Sequence, residues 1–512
     1  MLSNPNLPNP QMLYPQIVAT QDIPIAAPAE TELPKLVRRG RYTYPPGLRM
    51  NLPFYLFHKF FKPGNPILLF EHLRRYGRAA HYRILFHDVV LFHDPADIRE
   101  VLIDKAASFG KDRTQKRMKI LLGEGLITSD GETHKRARRI TAPAFHRQRI
   151  QRYAGQIVDF AVELRDQWQA GHPFDVAAEM MHLALRITAR TLFDTEVTPE
   201  ILVINHQVNI VMDLYNYLVA MPRAELLLDS PLPGMRRFRH AKARLDEVVD
   251  GMIRKRQLEN GNPQAGNLAA GNLDQRTDLL SMLIAARDDQ AEGDGLKLNT
   301  EELRDQVLTL FLAGYETVAN ALTWTWYLLA RNPDPQSKLH EELDSVLGNR
   351  LPTLEDLPRL EYTYMVLAES MRLYPPAWAM GREALEDVSI GPYHLKKGSM
   401  VFFSQYIVHR DPRFFPHPEQ FWPERFTAEA RAARPKFAYF PFGGGSRQCI
   451  GESFAWMEAT LTLATLAQRW RLALIPAQKI ELQPKITLRP KNPIRVMPIP
   501  RSQVRQSHTE TC

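Results

Sequence analysis

The chain has 512 residues, 44% hydrophobic and 24% charged, and 65 Lys and Arg against 57 Asp and Glu leave a formal charge of +8. That composition excludes wholesale disorder, and so small a charge for the length gives nucleic-acid binding no support. Two cysteines, Cys449 and Cys512, cannot build a disulfide framework or a four-thiolate zinc site, so Cys449 is core filler, nucleophile or metal ligand.

Residues 1–50 hold nine of the 39 prolines and no helical period. They read as an extended or disordered lead-in over 1–43, before a folded domain over 44–500 and a flexible tail over 501–512. No stretch reaches the ~18 apolar residues of a membrane span, and the N-terminus lacks a secretory pattern, so the expectation is a cytoplasmic protein with no transmembrane anchor. Residues 52–61 are densely aromatic. They are either an edge packed on the domain or a greasy surface that touches a membrane loosely or guards a substrate entrance.

Asn65 to Tyr76 reads as a helix, and His81–Phe86 with Val89–Phe92 as a hairpin turning at His87-Asp88. Ala96 to Ile103 returns to helix. Helical periods then dominate over about 131–142, 147–169, 176–193, 200–220, 235–258 and 277–288, with 259–275 a surface loop. Residues 300–331 form one helix of about 45 Å, capped by Thr300, with Glu301 and Glu302 in its first turn. Asn332-Pro333 ends it. It is apolar on most sides from Val307 to Leu329 and so runs through the core. Helices follow at 334–347 and 360–373, short strands over 384–403, a coil to 441, a helix over 451–469 and a strand-rich tail. The fold class is mainly α, a large helical domain with a small β-rich region.

The sharpest signal is Phe442-Gly443-Gly444-Gly445-Ser446-Arg447-Gln448-Cys449-Ile450-Gly451. Successive glycines leave the backbone free to adopt positive φ and to approach something flat and bulky. Cys449 lies at a helix start, where the dipole and free N–H groups favour the thiolate, and Arg447 adds positive charge. Together these make a ligand role for Cys449 the leading reading. Here the sequence resembles the cytochrome P450 family, whose haem signature Phe-x-x-Gly-x-Arg-x-Cys-x-Gly is matched by Phe442, Gly445, Arg447, Cys449 and Gly451. The resemblance extends over about residues 44–500. It implies a haem b cofactor with Cys449 as axial thiolate, buried between the long helix and the cysteine loop.

Three further motifs fit it. Ala313-Gly314-Tyr315-Glu316-Thr317 interrupts the long helix with a glycine that costs about 1 kcal/mol against alanine. The plain reading is a close helix–helix contact. The resemblance implies a local widening over the iron, an oxygen groove at Ala313 and Gly314, and an acid–alcohol pair, Glu316 and Thr317, that relays protons. Glu369 and Arg372, three apart on one helix, resemble a structural triad completed by Arg425 of Pro423-Glu424-Arg425-Phe426. His134 and Arg138 stand where the family often has Trp-x-x-x-Arg, and with Arg382 they are expected at the haem propionates. The family's pocket walls correspond to Leu310, Ala313 and Thr317 and to Ala377, Trp378 and Ala379, with 212–235 as a mobile lid.

Lys135, Arg136 and Arg139, with Arg431, Arg434 and Lys436, read as a basic face for an acidic electron donor, a ferredoxin or flavodoxin with its NAD(P)H reductase. The chain has no flavin or iron–sulfur pattern of its own. The resemblance implies a monooxygenase placing one atom of O2 into an apolar substrate of fatty-acid, terpenoid or polyketide class. The alternatives are a haem-thiolate isomerase or peroxygenase, or a non-catalytic haem sensor.

Overall fold

The computed structural model describes residues 36–51, 65–84, 87–195, 230–261, 278–285 and 298–501, with Gln207 and Ile210 between them. The aromatic stretch 52–61, most of the expected 200–220 helix and the lid up to residue 229 lie outside the described residues.

The helix Thr300–Arg331 is the axis of the main core. Its cap is Asn299, one residue before the expected Thr300. Asn299 Oδ1 accepts the Glu302 N–H at 2.8 Å, and the Glu302 carboxylate accepts the Asn299 N–H at 2.9 Å. This reciprocal pair satisfies two donors that a threonine already inside the first turn could not reach. The helix Val176–Phe193 packs along it, with the Phe193 and Phe311 rings 5.4 Å apart. Helices Ala154–Gln167, Pro233–Gly261, Pro333–Leu347, Glu361–Leu373 and Glu452–Ala467 also belong to the helical body.

The β-rich region is a six-stranded sheet in the order Gly47–Asn51, Ala79–Ile84, His87–Phe92, Met400–Phe403, Met380–Ala384 and Phe109–Gly110. Ile84 pairs with His87, so His87 and Asp88 belong to the second strand and the reversal comes before them, not at them. Asp88 is held there by Arg39 at 2.6 Å and His81 at 3.0 Å.

Ordered chain also begins ahead of residue 44, where the sequence pattern started the domain. Val37–Arg39 and Tyr42–Tyr44 form a four-stranded sheet with Tyr393–Leu395 and Val388–Ile390. At the other end, Leu482–Pro484 and Leu488–Pro490 make a separate hairpin. No helix among the described residues is long and apolar enough to cross a membrane.

Candidate active site

The cysteine loop is shaped first by its protein neighbours. Gly445 has φ +72°, and a Cβ there would lie 2.1 Å from the Leu102 carbonyl oxygen, while one on Gly444 would meet the Phe437 ring at 2.6 Å. Both glycines are therefore required by close packing of the loop on the protein itself, which the sequence reading assigned to a flat ligand. Gly451 caps the following helix, and the Phe442 ring packs tilted against Trp456 at 5.7 Å. The Phe442 carbonyl accepts the Cys449 N–H at 3.0 Å, and the Gln448 carbonyl accepts from Arg138 at 2.8 Å. Arg138 thus braces the loop.

Cys449 keeps accessible surface. Burial pushes its thiol up to about 11, outweighing the Gly451 N–H that favours the charged form. The helix start alone does not make the thiolate, contrary to expectation; a coordinated metal ion does so outright. The long helix opens at one place. From Asp305 to Leu329 every residue is buried except Ala313, Gly314 and Thr317, and Leu310 lies a turn before them at 5% exposure.

The helix is unbroken there, without the expected widening. Gly314 faces Thr188, whose methyl would stand 3.1 Å from an added Cβ, so the close helix contact accounts for the glycine. The Thr317 hydroxyl donates to the Ala313 carbonyl at 2.8 Å. Glu316 turns away to Arg489 at 2.6 Å and to Thr487.

A buried cationic cluster lies beside the cysteine loop. Lys111, His134 and Arg382 are each 6% exposed. Arg447 pairs with Asp130, yet its other terminal nitrogen is buried without a hydrogen-bond partner. Asp130 also accepts the Lys111 N–H at 2.7 Å and caps the helix Gly131–Thr141. Burial, then Arg382 and Arg447, bring Lys111 down to about 7. Burial first, then Arg447, Lys111 and Arg138, hold His134 near 4, so it is neutral at pH 7. Arg382 is lowered to about 10, by burial first and Arg447 second, and donates to the Gly381 carbonyl. A dry cationic excess of this kind calls for an anionic ligand. Lys111 and Asp130 were not singled out from the sequence. Asp130 carried a signal as the cap residue before a helical run, and Lys111 carried none.

Among the described residues no group of three His, Cys, Asp or Glu could hold a bare metal ion. A single accessible thiol, an opening in the long helix and a buried anion cradle fit an iron whose remaining ligands come from a dianionic macrocycle. Trp378 and Ala379 keep partial exposure. They pack with Phe70 in a core beside the sheet, and the indole donates to the Lys485 carbonyl at 2.8 Å. Ala377 keeps partial exposure.

Glu369, Arg372 and Arg425 come together as expected. Arg372 meets both oxygens of Glu369 at 2.6 and 2.7 Å, and Arg425 approaches at 3.4 Å. The remaining Arg372 donors reach the carbonyls of His409, Pro418 and Gln420.

Comparison with known proteins agrees with this geometry. The family model described as Cytochrome P450 matches residues 45–497. Cyclooctatin synthase of Streptomyces melanosporofaciens is 39% identical over 91% of this chain and 97% of that protein. Cyclooctat-9-en-7-ol 5-monooxygenase of the same organism is 34% identical over 80% and 86%. Pentalenene oxygenase of Streptomyces avermitilis is 32% identical over 80% and 88%. The crystal structure of the cytochrome P450DA heme domain superposes with a TM-score of 0.75 at 26% identity, covering 92% of this chain and 98% of that one. The chain therefore belongs to the cytochrome P450 family, as a haem monooxygenase with Cys449 as the thiolate ligand of its iron.

Proposed function

We propose that this monooxygenase oxidises a cyclic terpenoid, with electrons from a separate acidic ferredoxin or flavodoxin. The carrying observation is the opening of the long helix at Ala313, Gly314 and Thr317, the one unburied stretch from Asp305 to Leu329. The substrate class is supported by relatives whose names give a cyclic alkenol and an alkene as substrates. A fatty acid or polyketide fits the apolar Leu310 and Ala313 equally but lacks that support.

Bound haem iron supplies the activation of O2 with two electrons. Lys111, His134, Arg382 and Arg447 would hold the propionates and neutralise their charge in a dry site. Leu310 and Ala313 exclude water and present an apolar wall to the substrate. Thr317 holds a proton at Oγ1, which is parked on the Ala313 carbonyl and freed by one side-chain rotation. The Glu369–Arg372–Arg425 triad fixes the helix Glu361–Leu373 against the coil leading to the cysteine loop.

The donor would dock at Lys135 and Arg139, both exposed on the helix Gly131–Thr141 that also carries His134. The decisive experiment is a spectral-shift screen of terpenoids, fatty acids and polyketides, followed by turnover under labelled O2 with a ferredoxin and its reductase. Binding and label incorporation confined to cyclic terpenoids supports the proposal. Incorporation into fatty acids alone would overturn the substrate class.

A further inference from the structure

His409 ends the short helix Gln405–Val408 and is fully buried. Its carbonyl accepts from Arg372 Nη1 at 3.0 Å, which ties it to the arginine that grips Glu369. Its ring reaches the other way. Nε2 accepts the Phe440 N–H at 3.0 Å, and the imidazole packs on the rings of Tyr439 at 4.9 Å and Phe440 at 5.3 Å. A ring nitrogen that accepts carries no proton, so this contact exists only for the neutral imidazole. Burial, then Arg372 and Arg410, hold the ring well below its ordinary pKa and so keep it neutral.

Phe440 leads into the cysteine loop. Its carbonyl accepts the Gly443 N–H at 3.0 Å, closing a turn with Pro441 at the second position, where a fixed φ is favoured. Phe442, third in that turn, offers the carbonyl that accepts the Cys449 N–H at 3.0 Å. The acceptors of Arg372 are Glu369, His409, Pro418 and Gln420, none of them in the loop. The imidazole of His409 therefore joins the buried ion pair to the backbone that holds the cysteine.

We infer that His409 is a positioning residue for the iron ligand, pinning the first residue of the 440–443 turn and, through that turn, the amide of Cys449. The inference rests on Cys449 as the iron ligand and on no particular substrate or electron donor, so failure of the terpenoid proposal would leave it untouched.

The test uses the full-length, haem-loaded protein. Glutamine places its amide oxygen near the position of Nε2, asparagine ends near that of Nδ1, and leucine has no acceptor. Amide hydrogen exchange over 440–449 should rise at least about tenfold in His409→Leu and His409→Asn, the scale of one buried donor left unmade. His409→Gln should recover most of the protection. The second readout is the carbon monoxide complex of the reduced haem, whose red-shifted band reports an intact thiolate. Loss of that band, timed at one temperature, should quicken about tenfold in the leucine and asparagine variants and stay within about twofold of native in His409→Gln. Leu343→Ala, on the buried face of the helix Pro333–Leu347, lowers stability away from the loop and should leave the rate unchanged.

Unchanged loop exchange and an unchanged rate in His409→Leu would overturn the inference. So would an equal quickening in Leu343→Ala, since His409 would then add only general stability. If His409→Leu does not fold, the glutamine and asparagine variants carry the same comparison. Equal loss in those two, equal failure to fold included, would overturn it as well, because the accepting atom would not be what holds the loop.

Discussion

Lys111 is a lysine held near neutrality by two arginines and a dry setting, and its pH response has a definite sign. With its pKa near 7 before haem binds, a propionate would raise it toward or beyond the ordinary value of about 10.4. Below pH 7 the ammonium is present in both states and haem is held at full strength. Above pH 7 the haem-free protein binds fewer protons than the haem-loaded one, so binding must take up a proton and weakens as pH rises. Transfer of haem to apomyoglobin should quicken between pH 7 and 9 in the native chain. In Lys111→Met it should be faster throughout and flatter with pH, by a loss of about 1.5–3 kcal/mol, the value of a charged hydrogen bond. Thr317 gives a second prediction at this scale. Thr317→Val keeps the shape and removes Oγ1, and positioned proton donors contribute about 10²–10⁴-fold. NADPH should still be consumed while hydrogen peroxide rises and oxidised product falls; product, peroxide and NADPH measured in one assay decide it.

Among the elements, the helix Glu361–Leu373 depends most on charge. Glu369 and Arg372 are fully buried and every Arg372 N–H has an acceptor, so Glu369→Ala strands two guanidinium groups. A loss of about 3–5 kcal/mol is expected, seen as little folded haem protein on expression; a well-folded variant with native thermal stability would contradict it. The triad was legible in the sequence because helical spacing and one tetrapeptide fixed its members. The long helix was legible from its apolar run, although its cap was placed one residue late because Asn299 and Thr300 are both good cap residues. Gly314 and Glu316 show where reading stopped. A helix period says which residues share a face, but not whether that face meets a cofactor, the helix at Thr188 or a hairpin more than 160 residues away. Trp378 packs on Phe70 from a distant helix, a contact that no local pattern shows.

For the whole molecule, the basic face is smaller than the sequence implied. Arg434 is packed over the Phe415 and Phe426 rings at 4.3 and 5.1 Å and donates to the Arg425 carbonyl. Arg136 is paired with Glu302 at 2.6 Å. Lys135, Arg139, Arg431 and Lys436 face solvent, and Lys135 is itself shared with Glu132. Steering by so few charges is screened beyond about 8–10 Å at ordinary salt. Reduction by an acidic ferredoxin should slow with rising ionic strength, and Lys135→Glu with Arg139→Glu should slow it at low salt by about tenfold, within the usual range of steering effects. Stopped-flow reduction rates across a salt series measure both.

The sheet that joins the two ends of the domain also sets a timetable. Thr43 pairs with His394, so at about 5–20 residues per second the early strands wait roughly 20–70 s on the ribosome before their partner is made. The buried cationic cluster obeys the same clock, drawing Lys111 and His134 from the first third of the chain and Arg382 and Arg447 from the last. Capturing the cofactor is therefore an act of the nearly finished polypeptide. A translation product that stops short of the cysteine loop has assembled most of its helices but has no means of keeping haem, and is distinguishable from the complete protein by colour alone.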